Sequence, residues 1–319
     1  MPQGEFEFIA RHLRPLATAR GALALADDAA LLEPAPGRQL VLAKDAMVAG
    51  VHFLPADPPR QVAQKLLRVN LSDLAAMGAA PVGYLLALAR PADITDDWLA
   101  EFCAGLAADN AAFEVALLGG DTVSTPGPLT LSLTAVGEVP TGAALLRGGA
   151  GPGDDVWVSG TLGDAALGLQ VLQGTLELAE PARAVLVERY RLPQPRLELG
   201  QALRGIASAA IDISDGLVAD LGHILEVSGV GAELQADALP LSAAAREVPG
   251  ARDAALAGGD DYELLFTAPP ARQADVAALA RQLGIPLTRI GAIRADPSLH
   301  VLDQKGQELR VRRSGWQHF

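Results

Sequence analysis

Lysine is nearly absent: Lys44, Lys65 and Lys305 are the only three in 319 residues. No G-x-x-x-x-G-K-[ST] stretch occurs, which excludes the phosphate-cradling loop of the P-loop NTPases. No G-x-G-x-x-G follows a strand-like run, and this counts against a dinucleotide-binding fold. The single cysteine, Cys103, excludes an internal disulfide and fits a reducing compartment. Together with the scattered His12, His52, His223, His300 and His318 it offers no zinc-ligand spacing. G-x-S-x-G is missing too, and with it the serine elbow of the α/β-hydrolases.

Positive charge as a whole is scarce. Twenty-five Lys and Arg face 38 Asp and Glu, a formal charge of −13 that argues against generic nucleic-acid or anionic-membrane binding. The opening MPQGEFEFIARHLRPL carries acids early and no uninterrupted apolar run, so neither a secretion signal nor a membrane span is expected and a cytoplasmic protein is. Were the ligand a phosphate, cations would have to offset the surrounding acids, and divalent ions could do so.

What is present is a chain too long for one core, so two domains are expected. Apolar alternation or short apolar runs predict strands at 40–48, 115–118, 129–136, 155–159, 209–213, 262–266 and 287–293, and a C-terminal hairpin over 299–311 turning near Lys305 and Gly306. Trp98, Leu99, Phe102, Cys103 and Leu106 form a helical stripe behind Thr95 as N-cap, with Asp96 and Asp97 in the first turn. Cys103 on that stripe reads as a core residue. The stretch VPTGAALLRGGAGPGDD, 139–155, separates two strand-and-helix series and marks the junction between an N-terminal domain, 1–140, and a C-terminal domain, 141–319. RLPQPR, 191–196, reads as an internal loop.

Aspartates recur at the ends of apolar segments. The run LALADDAALL places Asp27 and Asp28 together where the pattern asks for a core, and isolated buried charges are too costly to leave unsolvated or unpaired. Asp45 in LAKDAMV, Asp73 in NLSDLAAMG, Asp121 in LLGGDT, Asp212 and Asp215 in IDISDG, and Asp260 and Asp261 in GGDDYE follow. Each alone suits a cap or a turn; together they suit hard cations such as Mg²⁺ that also hold phosphate oxygens. Asn70 and Asp73 share a helical face, which suggests a polar cavity lining, and the glycines of GGD would let backbone amides approach a phosphate.

In order along the chain, GEFEFIARHL, DDAALL, AGVHFLP, NLSDLAAMGA, LLGGDT, LLRGGAGPGD, VSGTLGDAALGL, IDISDGL and GGDDYELLF resemble the thiamine-monophosphate kinases. These belong to a wider group with aminoimidazole ribonucleotide synthetase, selenophosphate synthetase and a hydrogenase-maturation protein. The resemblance implies a two-domain α/β (α+β) fold whose N-terminal mixed sheet forms a barrel with that of its dimer mate, making a homodimer. It further implies ATP in a cleft between the domains, several Mg²⁺ ions, and transfer of the γ-phosphoryl group to thiamine monophosphate.

Carried over by motif, the metal positions are Asp28, Ala43, Lys44, Asp45, Asp73, Asp121, Asp212 and Asp215, with Asp121 and Asp212 as the catalytic acids. Gly120, Asp121, Arg147 and Ser214 are implied at the nucleotide, and His52, Glu263 and Trp316 at thiamine monophosphate. Asp27 is expected to serve the turn. Two places depart from the family pattern: its G-I-G before the paired acids is Ala24, Leu25 and Ala26 here, and its Ser/Thr-Thr before Asp45 is Ala43 and Lys44. The alternatives are a nucleotide-binding protein of the same fold without turnover, or another ATP-using member of the group. No nucleic-acid or membrane partner is expected.

Overall fold

The computed structural model describes residues 5–309 and Gly315. The chain divides into two compact units, one running to Leu74 and resuming over Ala79–Gly142, the other comprising Ala75–Gly78 and the chain from Ala143 onward.

The first unit begins with α1 (Glu5–Phe8) and irregular helical turns as far as Leu25. There follow β1 (Arg38–Val48), α2 (Pro59–Ala76), β2 (Ala80–Arg90), α3 (Asp96–Phe113), β3 (Ala116–Ser124) and β4 (Thr130–Pro140). The sheet order is β1-β4-β2-β3, antiparallel except for β2 against β3, whose parallel pairing needs the α3 crossover. Helix α3 starts where its cap predicts: Thr95 Oγ1 accepts the Trp98 N–H at 3.1 Å, and Asp96 and Asp97 favour the positive helix end. Its stripe of Leu99, Phe102, Cys103 and Leu106 is buried, as are Leu66, Leu67, Leu71 and Leu74 of α2. The Tyr84 hydroxyl donates to Asn110 at 3.1 Å, and Arg68 grips Asp109 at 2.7 Å, tying α3 to the sheet and to α2.

The second unit holds β5 (Asp155–Ser159), α4 (Asp164–Leu172), α5 (Ala182–Arg191), α6 (Leu197–Ala202), β6 (Ala209–Asp212), α7 (Leu217–Ser228), β7 (Gly231–Gln235), α8 (Ala251–Ala257), β8 (Leu264–Ala268), α9 (Gln273–Leu283), β9 (Leu287–Arg294) and β10 (Leu299–Leu302). Its sheet runs β10-β7-β9-β5-β8-β6, with β10 and β7 parallel and the other neighbours antiparallel. The centre is apolar on both sides: all five residues of β8 are buried, and Val156 and Val158 of β5 are fully so. Ile211, Ile213, Leu217, Leu221 and Ile224 extend this core beneath the IDISDGL segment.

Two strands escape the sequence reading. APVGYLLALAR carries Pro81 and Gly83, which argue against an interior strand, yet β2 lies between β4 and β3 because the ladder shifts register between those two residues. GAELQ is short and half polar, but it forms β7. The C-terminal turn is present, with Leu302 bridged to Glu308 and the Gly306 N–H on the Asp303 carbonyl. The GGD of 119–121 sits within β3 rather than after it. Its second glycine is forced by packing, since a Cβ at Gly120 would lie 1.8 Å from the Leu86 carbonyl oxygen.

Candidate active site

In the first unit a cavity of about 720 Å³ opens against the sheet, within the size range of small-molecule sites. Phe8, Leu25, Leu86 and Leu118 contribute apolar wall, and Asp27, Asp28, Asp121 and Lys44 contribute charge. The acid pair inside LALADDAALL is therefore exposed at a bend facing shared space with Asp121, which avoids the cost of burying it. Asp27, expected to serve the turn, lines the cavity together with Asp28. Leu23, Ala24 and Leu25 hold φ of 50°, 54° and 55°, a left-handed backbone costing about 1–2 kcal/mol per non-glycine residue. The glycine-like conformation thus persists at Ala24, the first glycine position of the family pattern, but not at Ala26, the second, whose φ is −104°.

Lys44 and Asp45 diverge, as successive strand residues do. The Lys44 ammonium lines the cavity and donates to the Ser132 hydroxyl at 2.9 Å, which in turn donates to the Asp45 carbonyl at 3.1 Å. An ammonium has no lone pair, so any metal contact at 43 or 44 would have to come from a backbone carbonyl. The Asp45 N–H donates to Asn70 Oδ1 at 3.0 Å, while Asn70 Nδ2 donates to the Leu66 carbonyl at 2.8 Å. Asn70 is fully buried, so it acts as a strut between α2 and β1 instead of lining a cavity; Asp73, three residues on, is half-buried. His52 Nδ1 accepts the Val48 N–H at 3.0 Å, which leaves the proton of the neutral ring on Nε2. The Lys65 ammonium donates to the His52 carbonyl at 3.3 Å.

In the second unit the IDISDG and GGDDYE segments are joined through their backbones. The Ile213 N–H donates to the Glu263 carbonyl at 2.9 Å, Tyr262 N–H to the Ile213 carbonyl at 2.8 Å, and Asp260 N–H to the Ser214 carbonyl at 2.8 Å. Asp260 and Tyr262, at φ of 70° and 50°, pay backbone strain for this arrangement. Asp212 is buried and Ser214 and Asp215 are half-buried. Behind them Asp220 Oδ2 accepts the N–H groups of Ser214, Asp215 and Gly216 at 3.0, 3.1 and 3.1 Å. Burial, reinforced by the neighbouring Asp212 and then Asp215 charges, pushes the Asp220 carboxyl up to about 7, although the Gly216 and Asp215 amides pull the other way.

Glu263, expected at thiamine monophosphate, has no exposed side-chain surface. Its oxygens take the Arg196 fork at 2.6 and 2.5 Å, Arg189 Nη2 at 2.8 Å and the Ser159 hydroxyl at 2.6 Å. Any influence of this carboxylate on a ligand would pass through the two arginines, whose side chains keep 16% and 19% exposure. Next to it Asp261 is buried, with Oδ2 on the Gly163 N–H at 2.7 Å and Oδ1 unpartnered. Burial holds this carboxyl well above the usual carboxylate range. Arg147 is exposed in its glycine-rich loop, where its carbonyl accepts the Ser228 hydroxyl at 3.4 Å. Trp316 lies outside the described residues. Its neighbour Gly315 sits over the IDISDG segment: a Cβ there would come within 2.9 Å of the Asp215 carbonyl oxygen.

Among the described residues no three His, Cys, Asp or Glu side chains are placed to enclose a metal ion by themselves. The donors are nonetheless of the kind Mg²⁺ accepts, because that ion is commonly bound through one or two carboxylates, with phosphate oxygens and water filling its shell. Sequence reasoning missed Asp220, Arg189 and Arg196. The signals were weak: an acid in the first turn after S-D-G, and an arginine in RLPQPR that looked like an ordinary loop residue.

The AIR synthase related protein N-terminal domain family matches residues 26–139, and the corresponding C-terminal domain family matches 151–304. The chain is 44% identical to the thiamine-monophosphate kinase of Salmonella typhimurium, over all of this chain and 99% of that one. The chain belongs to the thiamine-monophosphate kinase family. Its fold agrees with a solved thiamine-monophosphate kinase from Stenotrophomonas maltophilia K279a, at 47% identity and TM-score 0.83, covering 89% of this chain and 91% of that one. A second family structure, AaThiL complexed with AMPPCP and TMP, is 32% identical with TM-score 0.80, covering 99% and 97%. The thiamine-monophosphate kinase family likeness therefore spans both units, including strands β3 and β6 that bear Asp121 and Asp212.

Proposed function

We propose that this chain transfers the γ-phosphoryl group of ATP to the phosphate of thiamine monophosphate, giving thiamine diphosphate and ADP. The observation that carries the reading is the end-to-end likeness to thiamine-monophosphate kinases, one of them solved with AMPPCP and TMP. Asp28, Asp45, Asp73 and Asp121 of the first unit and Asp212 and Asp215 of the second are the proposed Mg²⁺ ligands, with a backbone carbonyl at Ala43 or Lys44 adding a neutral donor. Mg²⁺ would screen the charge of the phosphates and hold their oxygens in line.

Two anionic phosphates must meet, and a loose transition state asks for alignment and charge more than for a covalent nucleophile. Gly120 and Asp121 are proposed along the nucleotide, Arg147 as a planar fork on its phosphates and Ser214 as a hydroxyl donor. His52 can offer its Nε2 proton to thiamine monophosphate, and Trp316 an aromatic face to the cationic heterocycle. Glu263 serves the same substrate by holding Arg189 and Arg196 in place.

The dimer belongs to the same proposal. Leu40, Leu42, Leu85 and Val123 leave apolar surface exposed on the first sheet, whose edges are β1 and β3, and closure with a second copy into a barrel would remove both liabilities. No helix among the described residues is long and apolar enough to cross a membrane. A cytoplasmic location, with ATP and Mg²⁺ at hand, completes the reading.

Incubation with ATP, Mg²⁺ and thiamine monophosphate, followed by separation of the phosphate esters, should yield thiamine diphosphate and ADP in equal amounts. ATP binding with no transfer at any Mg²⁺ concentration would instead identify a protein of this fold without turnover. Sedimentation equilibrium across micromolar concentrations tests the dimer.

A further inference from the structure

We propose that Asp220 is a positioning residue for the IDISDG loop, holding its backbone so that Asp212 and Asp215 keep the places from which they bind Mg²⁺. The role rests on the reading of those two acids as metal ligands. One oxygen of Asp220 collects three consecutive amides, from Ser214, Asp215 and Gly216, at 3.0 to 3.1 Å. Successive N–H groups converging in this way form a concave nest of the kind that elsewhere takes a phosphate. Here the chain fills it with its own carboxylate, 2% exposed, so these amides are withheld from the nucleotide and spent on loop shape.

The loop is fixed from its other sides as well. The Asp220 N–H returns to the Gly216 carbonyl at 3.0 Å, closing loop and first turn of α7 into one ring. Gly216, at φ 128°, packs where a Cβ would lie 2.9 Å from the Ala257 carbonyl carbon, and Ser214 accepts the Asp260 N–H. Asp220 is the centre of that ring.

The test compares Mn²⁺ binding to the full-length protein, read by electron paramagnetic resonance, with the Mg²⁺ concentration for half-maximal rate and with thermal unfolding. Asp220→Ala should weaken Mn²⁺ binding and raise the Mg²⁺ requirement by about tenfold, while Asp220→Asn, which keeps one oxygen for the amides, stays within about threefold of wild type. Should Asp220→Ala fail to fold, Asp220→Glu, which displaces the carboxylate by one methylene, should show the same weakening. A folded Asp220→Ala or Asp220→Glu with wild-type Mn²⁺ binding and Mg²⁺ response, alongside an Asp212→Asn control that has lost binding, overturns the positioning role alone. Wild-type binding in Asp212→Asn overturns the ligand assignment, and the positioning role with it.

Discussion

Arg196 grips Glu263 at two points, Nε on Oε2 at 2.6 Å and Nη2 on Oε1 at 2.5 Å. The planar fork matters because Glu263 has no water to fall back on; the remaining partners are Arg189 and Ser159. Arg196→Ala would leave a buried carboxylate short of one cation. The expected loss is about 3–5 kcal/mol, the range for breaking one side of a buried pair. Urea unfolding should show it as a lower midpoint at unchanged slope, and Arg196→Lys should recover less than half, since a point charge replaces two parallel bonds.

Asp261 makes stability depend on pH in a definite direction. Its folded carboxyl is held well above the unfolded value of 3.8, chiefly by burial, although the Gly163 N–H and Arg189 oppose the shift. Below 3.8 both states hold the proton and nothing is lost. As pH rises from there, the unfolded state releases it first, so stability falls until the folded group titrates as well. Asp261→Asn removes that proton linkage. The variant should therefore gain stability relative to wild type more at pH 8 than at pH 5, as read from denaturant midpoints. A difference independent of pH would mean that Asp261 is ionised in the folded chain.

These two carboxyls show where the sequence runs out. The N-cap at Thr95 and the stripe from Leu99 to Leu106 were legible because their signals are local. Strand β2 was not, since Pro81 and Gly83 read as breakers and only the pairing partners on both sides reveal the register shift that tolerates them. The acids expected at the site came from motif order along the chain, and of these Asp28 and Asp121 line one cavity. What holds them was hidden: Asn70 reaches back 25 residues to Asp45, and Arg196 reaches forward 67 to Glu263. Neither spacing follows a helix or strand period. Strand β8 begins at Leu264 rather than 262 because the left-handed Tyr262 cannot enter a ladder.

Cys103 should be inert in the native protein. It is buried on α3, and burial pushes its thiol up to about 12. At pH 8 the thiolate is then roughly one part in ten thousand, and the thiolate is the reactive form. Iodoacetamide at pH 8 should leave the folded chain unmodified and add a single label after denaturation, since no other cysteine exists to confuse the mass. Labelling of the native chain within minutes would show that α3 opens readily.

Lys44 offers the sharpest test of the proposed Mg²⁺ binding. The ammonium shares a cavity with Asp27, Asp28 and Asp121 but is anchored to Ser132 Oγ, and no salt bridge to those acids forms among the described residues. A fixed cation beside three carboxylates lowers their joint attraction for Mg²⁺ without occupying a ligand position, because Asp45 points to the opposite side of β1, where Asn70 holds its backbone. Two consequences follow from removing it. Lys44→Thr should retain kinase activity, since no proposed ligand is lost, and it should lower the Mg²⁺ concentration for half-maximal rate, since one competing positive charge has gone. At an effective dielectric near 20 a change of about 1 kcal/mol is reasonable, corresponding to roughly fivefold in that concentration. Raising the ionic strength should narrow the difference between variant and wild type, as screening would require for a partly exposed charge. The measurement is initial rate against Mg²⁺ at fixed ATP and thiamine monophosphate for both proteins. An inert wild type that Lys44→Thr brings to life would show instead that the ammonium blocks the site outright.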